Sequence, residues 1–420
     1  MTDKLGQRIA VIGAGIVGLS CALWLQKSGH RVTLFDPQMP DSPEAAQAAC
    51  SFGNACTIAL GACLPVASPG IHWQVPGMLM DRKGPLSIYW RDLPELTPWL
   101  LSFLGASRAA EHDRITAVLG EMMRHAEAGH GPLFEEAGAQ DLIRRSGCLY
   151  LYRDEAEFRA AKGGIDLRER EGVKMSILDA GQIREREPHL APMYHKGLVF
   201  EDAYFLDDPY QYVRRLHHAV MGRGAEGIAR HVGGIRSAPE GVLVLAGEEE
   251  WLFDRVVVAG GAWSRDLAAH VGDRVRLNTE RGYHVLFDAQ PGLLSGPTCY
   301  PGAGFYMTSL GEGLRAAGTV ELGGLGRPMR PARTQVIEER TRVFLPSVGE
   351  VKREWLGFRP STPDSLPVIG PSPTDSRVLY AFGHGHVGLT LAGLTGQLIA
   401  EVVDGRDTTI GLNPLRADRW

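Results

Sequence analysis

Long apolar runs are missing from this chain of 420 residues, and none approaches the roughly 20 consecutive apolar residues that a membrane-spanning helix needs. The segment Trp99-Leu100-Leu101-Ser102-Phe103-Leu104 is too short to cross a bilayer and reads as a buried helix turn. Peripheral contact with the cytoplasmic face of a membrane through it is kept as a second expectation. A basic excess is missing too. The formal net charge is −5 with acids and bases interspersed, so no field exists to attract nucleic-acid phosphates, and nucleic acid is excluded as a partner. Cysteine is sparse: Cys21, Cys50, Cys56, Cys63, Cys148 and Cys299 show no C-x-x-C spacing. Cys21 falls in an apolar helical pattern, where a reduced thiol packs as a small hydrophobe, and a reducing, cytoplasmic compartment is expected. Met1 to Arg8 is short and polar, so no secretory signal is expected. The fourteen histidines form no H-E-x-x-H motif or compact carboxylate cluster, so no metal is expected. No nucleophilic triad, internal repeat or low-complexity tract stands out.

What is present starts with size: a chain this long forms two domains or one two-lobed unit with a substantial core. Ile9-Ala10-Val11-Ile12 reads as a buried strand, Gly13 to Gly18 as a tight turn, and Leu19 to Ser28 as a helix closed by Gly29. Arg31 to Asp36 supplies a second strand and completes a βαβ unit of the usual length. Gly13-x-Gly15-x-x-Gly18 assigns a task to each glycine: the turn itself, backbone approach to a pyrophosphate, and close helix–strand packing. Ile16 and Val17 lie within that turn, and the helix start faces the phosphates. Asp36, ending the second strand, is placed to accept hydrogen bonds from adenosine ribose hydroxyls. The unit therefore binds a dinucleotide, with FAD and NAD both open at this point. A further buried strand, Arg255 to Ala259, runs into Gly260-Gly261-Ala262-Trp263-Ser264. A third, Val378 to Phe382, leads into Gly383-His384-Gly385-His386-Val387-Gly388 and an apolar helix. Such separated pieces suggest a nucleotide domain assembled from distant segments, and a glycine-rich helix start can direct its free N–H groups at negative charge.

These segments resemble the FAD-dependent D-amino-acid oxidase and glycine oxidase superfamily, most closely the bacterial D-amino acid dehydrogenases. The resemblance spans nearly the whole chain. It is carried by Gly13 to Gly18, Cys50-Ser51-Phe52-Gly53-Asn54-Ala55, Pro65 to Gly70, Arg281-Gly282-Tyr283-His284, Trp355-Leu356-Gly357-Phe358-Arg359-Pro360 and Gly383 to Thr390. It implies an α/β chain (α+β overall): a discontinuous Rossmann-like FAD-binding domain and a second, mainly antiparallel-sheet substrate domain. The expected pieces are 1–80, 191–275 and 351–420 for the FAD-binding domain, and 81–190 and 276–350 for the substrate domain. Ser51, Gly53 and Asn54 would lie against the flavin and Val232 at the adenosine end, with Gly260 and Trp263 on the cofactor's path. Gly357 and the turn Gly385, His386, Val387, Gly388, Leu389 and Thr390 would sit at the pyrimidine edge of the isoalloxazine. No histidine or cysteine matches the family's tethering positions, so non-covalent FAD is expected.

By the same resemblance Arg359 clamps the carboxylate of an amino acid, as a planar guanidinium can do bidentately. The competing reading of Arg359 is an interior ion pair with an acid such as Asp364. Tyr283 is expected at the substrate pocket, with a half-buried core tyrosine as the competing reading, and Tyr306 is a second-tier candidate beside it. His284, His384 and His386 are read as packing or backbone-bonding residues rather than general bases. The implied reaction is hydride transfer from the α-carbon of a small D-amino or imino acid to flavin N5, giving an imine that hydrolyses to an oxo acid. The expected acceptor is a quinone or another electron acceptor. The alternatives are an oxygen-using glycine, sarcosine or D-amino acid oxidase, a D-hydroxyproline-specific dehydrogenase, and, ranked last, a non-catalytic flavin-binding subunit. Several positions depart from the family pattern. Asp36 stands where glutamate is commoner, Cys56 replaces a usual glycine, and Arg281 and His284 stand where lysine and serine are expected. The turn His386-Val387-Gly388-Leu389 lacks the expected hydroxyl residue and tryptophan. These departures are what raise the narrower imino acid alternative.

Overall fold

The structure, a computed structural model, describes residues 6–81, 84 and 86–420; the reading of Met1 to Arg8 falls partly outside them. The βαβ unit forms as its pattern requires. Arg8–Ile12 pairs in parallel with Arg31–Phe35 on one side and with Arg255–Val258 on the other. The full sheet runs Glu226–Ile228, Arg31–Phe35, Arg8–Ile12, Arg255–Val258, Val378–Phe382, Val368–Pro371. Only its last strand is antiparallel. Its strands are apolar without alternation because both faces are covered, as a parallel sheet demands. Ile9, Val11 and Val257 face Leu19, Leu23, Leu391 and Leu398 of the helices Ile16–Lys27 and Gly388–Asp404. Ala10, Ile12, Val256 and Val258 face Val242 and Val244 of a three-stranded antiparallel sheet. The first helix starts at Ile16, three residues ahead of the sequence reading, because Gly15 caps it directly.

A second sheet carries nine strands. Val351–Ser361, Asn278–Phe287, Gly313–Leu322, Phe305–Leu310 and Thr298–Tyr300 follow one another antiparallel. A parallel pairing with Cys148–Tyr152 extends it to Lys196–Phe200 and Met175–Asp179, and Leu86–Ile88 adds beside Gly313–Leu322. The helix Pro331–Phe344 packs Ile337 and Phe344 on its back, against Phe287, Tyr300, Phe305 and Leu314. The long strand Val351–Ser361 reaches the first sheet at its C-terminal end, where Ser361 bridges to His384. That junction brings Arg359 beside the glycine-rich turn before the last helix. The segment around Trp99 lies in the helix Leu93–Ala106; Trp99 itself is buried and its indole N–H donates to the Ser361 carbonyl at 3.0 Å, while Leu101 and Leu104 are exposed. Among the described residues no helix is long and apolar enough to cross a membrane. All six cysteines are free thiols.

Candidate active site

One cavity of about 780 Å³ runs between the two sheets, from Asp36 and Val232 at one end to Tyr306 and Arg359 at the other. At the first end the Gly13–Gly18 turn is shaped by close approach. A methyl group on Gly18 would stand 1.9 Å from the Gly13 carbonyl oxygen, whereas one on Gly15 would meet nothing within 4 Å. Gly18 is therefore the packing glycine and stays outside the lining, while Gly13, Gly15, Ile16 and Val17 border the cavity. No side chain caps the helix Ile16–Lys27, which leaves its first-turn N–H groups for an anion. Asp36 accepts from the N–H of Ala14 at 2.8 Å and of Gln38 at 2.8 Å; burial pushes its carboxyl up from the ordinary value against those bonds. Val232, Gly260 and Trp263 continue the wall. An open glycine, free helix N–H groups and a fixed acid along one elongated cavity fit a dinucleotide.

The middle of the cavity is floored by Cys50, Ser51, Gly53 and Asn54. Three side chains outside the expected set fix this loop. Trp355 packs on the bare face of Gly53, where a methyl group would come within 2.1 Å of the indole, and its N–H donates to Gln47 at 2.9 Å. His284 stacks on Trp355 with centroids 5.0 Å apart and sets Nδ1 3.0 Å from the Gly53 carbonyl. Burial, and then the nearby Arg315, hold His284 well below 6.5, so the ring is neutral and Nδ1 carries the donated proton. Arg315 donates to the carbonyls of Phe52 at 2.9 Å and Asn54 at 3.2 Å. Nothing in sequence spacing marks Trp355 or Arg315, because each acts on a loop more than 250 residues away. Cys56 takes a left-handed φ of 62°, which is what a position usually filled by glycine requires.

At the far end Arg359 lies over Gly282, and its Nη1 donates to the Thr319 carbonyl at 3.2 Å. A break in register produces that acceptor. Arg281 pairs with Glu321 and Tyr283 with Gly318, so two residues of Gly313–Leu322 oppose Gly282 alone. Thr319 sits in this bulge with φ 59° and lines the cavity, as bulges beside functional sites commonly do. Among the described residues Arg359 has no carboxylate within ion-pair distance. Asp364, its alternative partner, is taken by Arg419 at 2.7 and 3.0 Å. Cys50 faces the same space; burial pushes its thiol up to about 11, with Arg359 opposing.

Tyr283 is not at the cavity. Side chains alternate along Asn278–Phe287, so Gly282 faces the cavity and Tyr283 points to the opposite layer. There it is 1% exposed and donates to Glu321 Oε1 at 2.7 Å, within an ion cluster in which Glu321 pairs with Arg281 and Arg330. Tyr306 does line the cavity, hydrogen-bonded through its hydroxyl to that of Tyr150, and burial raises both phenols.

The turn before the last helix supplies Gly385, His386, Val387, Gly388 and Leu389 to the lining. Thr390 lies behind it, accepting from the Ala59 N–H at 3.0 Å. The helix Gly388–Asp404 has no side-chain cap and no acid in its first turn. His384 is buried, which lowers it to about 3. His386 meets buried Glu280 across 2.8 Å. Burial alone would raise the Glu280 carboxyl, but the charge and hydrogen bond of His386, with Arg359 beyond, hold it below 4.5. A carboxyl depressed on folding adds stability above its ordinary value, and that stability is lost as pH falls through the lower folded value. As pH falls below about 4.5 the wild-type melting temperature should thus fall more steeply than that of Glu280→Gln. Equal slopes in thermal melts would remove this pair from the acid response.

Metal was not expected from the sequence. Among the described residues one ligand-type group nevertheless forms outside this cavity, from Asp41, His217 and His218. It escapes motif reading because Asp41 and the two histidines are brought together only by the fold.

Residues 8–402 match the DAO family, described as FAD dependent oxidoreductase. The chain is 36% identical to a D-amino-acid oxidase of Bradyrhizobium diazoefficiens, over 99% of both proteins. It is 30% identical to D-amino acid dehydrogenase 2 of Ralstonia nicotianae, over 97% of this chain and 99% of that protein. A glycine oxidase structure from Geobacillus kaustophilus superposes with a TM-score of 0.77 at 22% identity, covering 99% of each chain, a likeness of fold. The chain belongs to the DAO family of FAD-dependent oxidoreductases.

Proposed function

We propose that the chain oxidises a small D-amino or imino acid to an imine, which hydrolyses to an oxo acid, and passes the electrons to a quinone or another acceptor. The observation that carries this reading is Arg359: a guanidinium on the cavity wall, aimed by the Thr319 carbonyl and, among the described residues, without an acidic partner of its own. Such a group takes a carboxylate bidentately. When bound, the FAD supplies the electron-accepting chemistry. Gly13, Gly15, Ile16, Val17 and Asp36 would hold its pyrophosphate and ribose, Val232, Gly260 and Trp263 its path, and Ser51, Gly53, Asn54 and Gly357 the ring, without a covalent link. The uncapped start of Gly388–Asp404 favours negative charge at the cavity's far end. Arg359 fixes the carboxylate so that the α-carbon faces the ring, and orientation of this kind supplies roughly 7–11 kcal/mol at best. Tyr306 and Tyr150 present hydroxyls where the amine or side chain would lie. Of the five departures, Asp36 and the turn His386-Val387-Gly388-Leu389 are in the lining, whereas Cys56, Arg281 and His284 are not. The relatives named above, a D-amino-acid oxidase and a D-amino acid dehydrogenase, support an amino acid as substrate.

A second reading, an oxygen-using oxidase, is favoured by the oxidase name of the relative at 36% identity. One experiment tests both readings. The purified yellow protein is mixed anaerobically with single D- and L-amino acids, imino acids and sarcosine, and bleaching of the flavin is followed. A D-amino or imino acid is expected to bleach it, and bleaching by a 2-hydroxy acid alone sinks the amine reading. Oxygen or a quinone added to the reduced protein then identifies the acceptor.

A further inference from the structure

The loop leaving the strand Arg31–Phe35 carries Asp41 to the helix Pro209–Gly222, where it meets the consecutive residues His217 and His218. One ligand atom from each lies within 4.8 Å of the others. His217 is 4% exposed, yet among the described residues neither of its ring nitrogens has a hydrogen-bond partner. A buried polar group left in that state gives up its hydration without compensation, so it calls for an explanation.

The spacing supplies one. Nδ1 of His217 stands 3.1 Å from Asp41 Oδ1 without hydrogen-bond geometry. Two ligands held about 2.0–2.1 Å from a tetrahedral cation stand roughly 3.3 Å apart. Two imidazoles and one carboxylate suit zinc rather than calcium or magnesium, which take oxygen sets. Asp41 and His218 are exposed, so a cation can arrive from solvent and water can complete its shell.

We propose that Asp41, His217 and His218 form a zinc site that ties the loop after Asp36 to the helix Pro209–Gly222. Pro37, Gln38 and Pro40 of that loop line the cofactor cavity, so zinc binding also slows the loss of FAD. The inference uses only the family's cofactor and is independent of the substrate. Chelator-treated, tag-free holoenzyme titrated with zinc chloride in a calorimeter should take up one equivalent. Asp41→Asn and His218→Ala, both at exposed positions, should each weaken binding at least about tenfold, since even residues behind a ligand are worth 10–100-fold. Circular dichroism and FAD content should stay as in the wild type. Excess zinc should raise the melting temperature by mass action and slow FAD release, followed by flavin fluorescence on dilution, in the wild type and in neither variant. No uptake, or equal uptake by both variants, overturns the site. Uptake with unchanged FAD release overturns the tie to the cofactor loop.

Discussion

Arg359→Ala should leave a folded, yellow protein whose kcat/KM for its amino acid has dropped roughly 30- to 5,000-fold. The range corresponds to about 2–5 kcal/mol, the usual result of truncating one partner of a desolvated, hydrogen-bonded charge pair. The fold should survive because the side chain makes one hydrogen bond to protein, to the Thr319 carbonyl, and no ion pair among the described residues. FAD should stay because Arg359 stands at the end of the cavity opposite the Gly13–Gly18 turn. Arg359→Lys keeps the charge but not the planar fork, and should recover only part of the loss. The measurement is the rate of anaerobic flavin reduction against substrate concentration. Wild-type apparent affinity in Arg359→Ala would remove the guanidinium from the site. Loss of flavin colour would instead mark it as structural.

How much of this was legible in the sequence follows from how local each feature is. The Gly13–Gly18 turn, its flanking strands and Asp36 lie within one βαβ unit, where each glycine's task can be read from its neighbours. Val378–Phe382 and Arg255–Val258 were readable as buried strands because both faces of a parallel sheet are covered, which writes an unbroken apolar run. Arg359 is singled out by resemblance alone; nothing about an arginine before a proline announces the carboxylate clamp proposed for it. Tyr283 shows the limit of that route. A motif fixes which residues are adjacent but not the face each one takes, and one step of strand parity puts Gly282 at the cavity and Tyr283 behind it. Trp355 and Arg315 were out of reach for another reason, as was the partner of His284, whose packing and backbone-bonding part the sequence does indicate. They act on the loop at Gly53 across the whole chain, and only the pairing of Asn278–Phe287 with Val351–Ser361 and Gly313–Leu322 brings them together. The bulge at Thr319 is likewise a property of two strands in register, not of either alone.

Gly282→Ala should separate the position of Arg359 from its presence. A methyl group at residue 282 would stand 2.3 Å from Arg359 Cζ, 2.4 Å from Nη2 and 2.7 Å from Nη1, so both cannot occupy their places. The guanidinium is the end of a flexible side chain, and it rather than the backbone would give way. The variant should therefore melt near the wild-type temperature and retain FAD. The displaced clamp, however, should cost it about a hundredfold in kcat/KM, the scale on which a 1 Å misplacement acts. Joined to Arg359→Ala, the substitution should add little, because both act through one group and contacting residues are not additive. Additive losses in the double variant, or wild-type turnover in Gly282→Ala, would mean that substrate does not depend on the guanidinium being held over Gly282. A fall in kcat/KM that vanishes once Arg359 is gone would tie the bare face of one glycine to the orientation of the substrate.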